Sequence, residues 1–277
     1  MTTWRSDDHA PHLAPTWGGV FRAVLRAIPL IVLVSGGLIL MLTLRLIERP
    51  FFGLRRPITP HITQFVCRNG FRILGIGFQL KGVPMTGPGA VVANHSSWLD
   101  IFALNAGKRI YFVSKAEVAQ WPLIGWLARA TGTVFIRRER TEAASQIAVF
   151  RDRLAAGHRL LFFPEGTSTD GLQVLPFKPT LFAAFFEPSL REIMAIQAVT
   201  VKYTAPPDAD PRFYGWWGDM EFGPHLLSTL AARQQGHVSV VYHTPVQVRD
   251  FADRKALARH LECQVRGGLT AHQHAEF

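Results

Sequence analysis

With 277 residues, the chain has room for one large α/β domain and an appendage. Hydrophobic residues make up 48% and charged ones 18%, a balance that argues for membrane contact, and the net charge of +10 suits anionic lipid, nucleic acid or an acidic carrier. The two cysteines, Cys67 and Cys263, lie far apart, which excludes a disulfide framework and a cysteine metal cluster and agrees with a reducing compartment.

Residues 1–16 are polar and Pro/His-containing and read as disordered. From Trp17 the chain turns apolar, and Ala27 to Leu44 is almost uninterrupted. About 18–20 such residues at ~1.5 Å each reach roughly 27–30 Å, enough for a bilayer core. Pro29 and Gly36-Gly37 are the places for a kink. Arg22 and Arg26 flank one end, and Arg45, Arg49, Arg55 and Arg56 the other. The heavier C-terminal side puts the rest of the chain on the cytoplasmic face of the inner membrane. A signal peptide fits poorly, because no small-residue cleavage site follows the run. A helical hairpin embedded in one leaflet is a second reading, with Phe51-Phe52 and the stretch from Ile62 to Leu80 as its other arm. Either way, residues 17–80 form a membrane-anchoring helical region. Gly75 and Gly77 lack the spacing of a dinucleotide-binding loop.

Turns at Gly82-Val83-Pro84 and Gly87-Pro88-Gly89 open a globular unit, residues 81–277. Ala90 to Ala93 reads as a buried strand that stops at Asn94-His95. Ser96-Ser97 follow, and a helix starts near Asp100. This places His95 and Asp100 on one rim, at a strand's carboxyl end, where open α/β sheets bind ligands. A neutral imidazole accepts a proton from a hydroxyl, and a carboxylate on its other nitrogen fixes the tautomer. No Gly-x-Ser-x-Gly elbow supplies a nucleophile of the protein's own, which leaves that part to a substrate hydroxyl. By itself, His-x4-Asp reads more readily as a loop histidine followed by a capping aspartate.

Arg109 to Ser114 is the next predicted strand, and Lys115 opens a helix carrying Trp121 and Trp126, aromatics that mostly suit core packing. Gly132 to Ile136 is a third strand, ending in Arg137-Arg138-Glu139-Arg140. An arginine run is ordinarily a solvated surface. At a strand exit parallel to that of His95, it joins the same rim, and guanidinium forks match phosphate. The spacing predicts a helix over 141–156, a strand over 159–163, and an exit Pro164-Glu165-Gly166-Thr167. Glu165 there is able to bond a substrate hydroxyl, or is a plain turn residue. An apolar helix over 181–186, strands over 193–201 and 237–242, and an amphipathic helix over 253–267 follow, with His272 and His274 in a frayed tail. Strands alternating with helices predict an α/β fold, a mostly parallel sheet flanked by helices.

Taken together, the strand exits resemble the glycerolipid acyltransferase family, whose best-known members make phosphatidic acid by acylating lysophosphatidic acid. Asn94-His95 through Asp100 is similar to its Asn-His-x4-Asp block, Gly132 to Arg137 to its second block with Lys115 as the upstream lysine, and Phe163 to Ser168 to its third. The likeness runs from about Val83 to Val248. One departure is Ala198, where the fourth block usually carries proline. The stretches Tyr214 to Met220 and Pro224-His225-Leu226 are similar to a bacterial subgroup that acylates lyso-ornithine lipid.

The resemblance implies a membrane-bound O-acyltransferase with His95 as base and Asp100 as its orienting carboxylate. Arg137 and Lys115 would hold the acceptor headgroup, and Glu165, Gly166 and Thr167 would position the acceptor. Acyl-carrier protein or acyl-CoA would be the donor, with no metal or other cofactor. The partners implied are a lysolipid acceptor, the acyl carrier and membrane lipids. Lysophosphatidate stands first as acceptor and lyso-ornithine lipid as the alternative. A lipid-binding protein without catalysis is the reading outside enzymes. Nucleic acid is disfavoured, since the arginines are scattered and no recognised binding motif is present.

Overall fold

The computed structural model describes residues 4–5, 16–87, 89–121, 124–137 and 143–270. The expectations for most of residues 1–16, for Arg138 to Arg140 and for the His272/His274 tail therefore lie outside the described residues.

The chain runs α1 (Trp17–Phe52), α2 (Thr59–Leu74), β1 (Gly77–Lys81), β2 (Gly89–Ala93), α3 (Asp100–Gly107), β3 (Tyr111–Lys115), α4 (Ile124–Thr131) and β4 (Val134–Ile136). It continues with α5 (Ala143–Ala155), β5 (Arg159–Phe162), α6 (Pro188–Arg191), β6 (Ala195–Thr204), α7 (Phe222–Ala231), β7 (His237–Tyr242), β8 (Val246–Gln247) and α8 (Arg254–Thr270). The sheet order is β1-β7-β6-β2-β5-β3-β4, with β8 paired to β6. Its pairings are parallel except where β6 meets β7 and β8.

Alternation along β2 builds the core on both faces. Val91 and Ala93 join Phe71, Leu74, Leu104 and Val201 on one side. Ala90 and Val92 join Phe162, Phe182, Phe185 and Leu261 on the other. Ala198 sits inside this sheet, opposite Val92 and fully buried, so the departure from proline falls in the core and not on the rim.

Two predicted helices differ from the structure. Lys115 closes β3 and does not open a helix; residues 116–120 form a tight 3-10 turn. Trp121 precedes Pro122 and is held extended (ψ 131°), because the proline ring disfavours a helical residue before it. The stretch Pro179–Phe186 is likewise a 3-10 helix.

At 36 residues, α1 is about 54 Å long, more than a bilayer core needs. It is long and apolar enough to cross a membrane, and only 6% of its most apolar window is buried. α2 folds back antiparallel against it. Gly37 makes the close approach possible, since a Cβ there would lie 2.4 Å from Val66 Cγ2. The Glu48 carboxylate accepts the N–H groups of Ile58 (2.7 Å) and Thr59 (3.2 Å) and the Thr59 hydroxyl (2.6 Å), so α1 caps the start of α2. Both ends of the hairpin are tied to the globular unit. Arg26 donates to the terminal carbonyls of α7 at Leu230 (2.7 Å) and Ala232 (2.6 Å), and Arg56 donates to Ala130 in α4 (2.7 Å).

Candidate active site

The carboxyl ends of β2, β5, β3 and β4 lie side by side and point the same way. At about 4.8 Å per strand, the rim from β2 to β4 is about 14 Å wide. His95 follows β2, Glu165 follows β5, Lys115 ends β3 and Arg137 follows β4. The topology thus brings all four to one edge.

Asn94 anchors this edge, its amide exchanging two 2.8 Å hydrogen bonds with the backbone of Val201. The His95 N–H donates to Glu165 Oε1 (2.8 Å), and its carbonyl accepts from the Thr169 N–H (2.9 Å). The ring stacks on Phe163 with centroids 4.0 Å apart. Backbone and ring plane are therefore both held before any ligand arrives.

Nδ1 of His95 lies 2.7 Å from Asp100 Oδ2. Asp100, the first residue of α3, is fully buried. Its Oδ2 also accepts from the N–H groups of Ser96 (2.9 Å) and Ser97 (3.1 Å), and its Oδ1 accepts from the Tyr203 hydroxyl (2.8 Å). A buried carboxylate with that many donors is well compensated for lost water. Burial, then the charge of Asp100, holds Tyr203 well above the usual phenol range, so it remains a donor. In the tautomer that directs Nδ1–H at Asp100, Nε2 carries the lone pair. The His95 side chain is 23% exposed, so a hydroxyl can reach it.

Glu165 is 1% exposed, and its other oxygen accepts from the Leu175 N–H (2.7 Å). Both oxygens thus bind backbone, and the carboxylate braces the loop that carries His95. Burial pushes its carboxyl up to about 8, against the pull of those two N–H groups. Gly166 adopts φ +76°, and a Cβ there would meet Lys178 Nζ at 2.7 Å. Thr167 Oγ1 accepts from the Trp4 N–H (3.3 Å). Lys115 is half-buried, and Arg137 is exposed, its carbonyl accepting from the Gln146 amide.

Tyr203, Phe163 and Lys178 escape the sequence reading as site residues. Tyr203 stands 103 positions from Asp100, and no local pattern links them. The loop from Tyr214 to Met220 and α7 close one side. The Trp216 N–H donates to the Ser96 carbonyl (2.8 Å), and Trp98 Nε1 donates to His225 Nδ1 (2.9 Å). The residues that suggested a subgroup therefore touch the His95 turn directly.

A family profile described as Acyltransferase matches residues 78–202. A lyso-ornithine lipid O-acyltransferase from Rhodobacter capsulatus is 57% identical over 266 residues, covering 96% of each chain. The chain belongs to the acyltransferase family. A 1-acyl-sn-glycerol-3-phosphate acyltransferase from Neisseria meningitidis is 37% identical over 64% of this chain and 67% of its own. The solved 1-acyl-sn-glycerophosphate acyltransferase of Thermotoga maritima shares the fold, with a TM-score of 0.64 at 20% identity over 92% of this chain and 96% of that one. The α/β architecture expected from the sequence is the family's, and the activity of the family is acyl transfer.

Proposed function

We propose that the protein transfers a fatty acyl group from a thioester to the hydroxyl of lyso-ornithine lipid. The observation that carries the reaction is the 2.7 Å contact of His95 Nδ1 with the fully buried Asp100, which leaves Nε2 as the base. The acceptor's O–H proton passes to Nε2 while its oxygen forms a bond to the thioester carbonyl carbon. The tetrahedral intermediate collapses, the C–S bond breaks, and the departing thiolate takes the proton back from the imidazolium. Ester and free thiol result, and no covalent intermediate on the protein is required. Acyl-carrier protein or acyl-CoA serves as donor, and the net charge of +10 suits either.

The acceptor choice is supported by the relative at 57% identity over nearly the whole chain. It is also supported by the contacts of Trp216 and His225 with the His95 turn. Lysophosphatidate is the second reading, favoured by Arg137 and Lys115 on the same rim as His95. Residues 81–277 are the catalytic unit and residues 17–80 the anchor. The ties of Arg26 and Arg56 to one globular unit support an anchor embedded in one leaflet, and the heavier basic flank at Arg45, Arg49, Arg55 and Arg56 supports the cytoplasmic side of the inner membrane. Expression in cells that accumulate lyso-ornithine lipid tests the acceptor. Restored ornithine lipid is expected; restoration only of a phosphatidate-deficient strain would favour the second reading.

A further inference from the structure

A cavity of about 190 Å³ opens at the other end of the sheet. Arg56, His61, Arg109, Tyr111, His158 and Arg159 line it. Arg159 and Tyr111 begin β5 and β3, at the strands' amino ends. Arg159 pairs with Gly89, and from Gly89 to His95 the chain covers about 20 Å at ~3.3 Å per residue. This cavity is therefore remote from the reacting end.

The cavity gathers cations without counter-charge. Among the described residues, Arg56, Arg109, Arg153 and Arg159 form no ion pair with a carboxylate. The acidic groups acting on the cluster are Glu48 and the Tyr111 phenol, and Glu48 is already engaged by Arg45 and the start of α2. Arg56 and Arg159 each spend one nitrogen on a carbonyl, of Ala130 and Thr86, yet each keeps a buried Nε with no hydrogen-bond partner. Arg109 Nη1 lies 2.6 Å from His61 Nε2. Burial and then the charge of Arg45 push the Arg56 guanidinium down to about 10. Burial, then Arg153 and Arg56, push His158 down to about 4, against a carbonyl contact from Leu54. Half-buried cations that repel one another are costly unless an anion joins them.

Guanidinium forks and unmet N–H donors fit phosphate oxygens. The surroundings fit a lipid rather than a free ion. Exposed Phe51, Phe52, Leu54 and Ile58 lie among Arg49, Arg55 and Arg56 in the stretch of chain that enters the pocket lining at Arg56 and Pro57. A neighbouring cavity of about 480 Å³ shares Arg56 and mixes Leu42, Leu54 and Trp126 with Arg45, Arg49 and Arg129. Apolar and basic side chains so mingled are what a headgroup layer selects.

We propose that this pocket binds the phosphate of an anionic membrane phospholipid that is not a substrate and that pins the domain to the bilayer away from the reacting rim. The inference rests on the membrane placement of α1 and not on the choice of acceptor.

The test uses full-length protein in neutral detergent, probed with dioleoyl phosphatidylglycerol, dioleoyl phosphatidylcholine or inorganic phosphate. Bound lipid is read by native mass spectrometry and stabilisation by the thermal midpoint. Phosphatidylglycerol is expected to bind and to raise the midpoint more than the other two. Arg109→Gln with Arg159→Gln should weaken it at least about tenfold, since two phosphate-facing charges are lost. Arg109→Gln alone, on the open side of the pocket, should weaken it while acyl transfer in micelles is retained, which rules out misfolding as the cause. His95→Ala should bind as wild type does. Equal stabilisation by inorganic phosphate would overturn the lipid assignment. Loss of the lipid in His95→Ala would move it to the reacting rim, and unchanged binding in the arginine variants would overturn the site.

Discussion

Replacing Asp100 by Asn changes charge and almost nothing else, and the surroundings dictate which way the new amide faces. The N–H groups of Ser96 and Ser97 need an acceptor where Oδ2 stands, 2.9 and 3.1 Å away. Tyr203 can turn from donor to acceptor for an amide N–H at the place of Oδ1. The amide oxygen therefore stays on His95 Nδ1–H, and the tautomer survives. What disappears is the negative charge beneath the imidazolium formed during proton transfer. Two unit charges about 4 Å apart at an effective dielectric of about 20 interact by ~4 kcal/mol. That corresponds to about a 10³-fold fall in kcat, with KM for acceptor and donor unchanged. Steady-state acyl transfer with purified Asp100→Asn checks this. Full activity would refute the stabilisation of the imidazolium by the Asp100 charge, and a loss as deep as that of His95→Ala would refute the argument that the two serine N–H groups fix the amide.

Tyr203→Phe leaves Asp100 Oδ1 buried without its donor. It should cost about 1.5–3 kcal/mol, a fall of roughly 3–12 °C in the thermal midpoint, with kcat falling far less than in Asp100→Asn. Gly166→Ala forces a side chain onto φ +76° and against Lys178, for about 1–2 kcal/mol of backbone strain, and should raise the acceptor KM. Glu165 has its carboxyl raised from an ordinary 4.5 to about 8, so the folded state holds a proton that the unfolded chain has released. Its contribution to stability is present below about pH 4.5 and lost as pH rises through 8. Glu165→Gln should flatten that part of the midpoint-versus-pH curve. His158 is lowered from 6.5 to about 4, so its contribution is present above 6.5 and lost as pH falls towards 4. His158→Gln should remove that acid-side loss.

The rim is legible in the sequence because strand, turn and helix signals follow one another closely, and His95 and Asp100 are only five residues apart. Parallel crossover then places the later exits on the same edge by topology alone. Contacts between distant segments leave no such trace. Tyr203 reaches Asp100 across 103 positions, and the direction of β7 against β6 is invisible in a run of buried Val and Tyr. For Glu165 the residue type is readable and its burial is not; a carboxylate that looks ready for a substrate hydroxyl has both oxygens on backbone N–H groups. The sequence places Lys115 at a helix start because Ala-Glu-Val reads as helical, whereas the proline after Trp121 holds that residue extended and limits 116–120 to a 3-10 turn. Hydropathy gives the length of α1, and only the arginine-to-carbonyl contacts reveal that both of its ends belong to one domain.

The base at Nε2 is tested most directly by offering a labelled acyl thioester to wild type and His95→Ala, each with and without lyso-ornithine lipid. Labelled ornithine lipid should appear only with wild type and acceptor together, and no label should attach to the protein when the acceptor is withheld. Product from His95→Ala, or a labelled acyl-protein in the absence of acceptor, would contradict direct attack by the lipid hydroxyl.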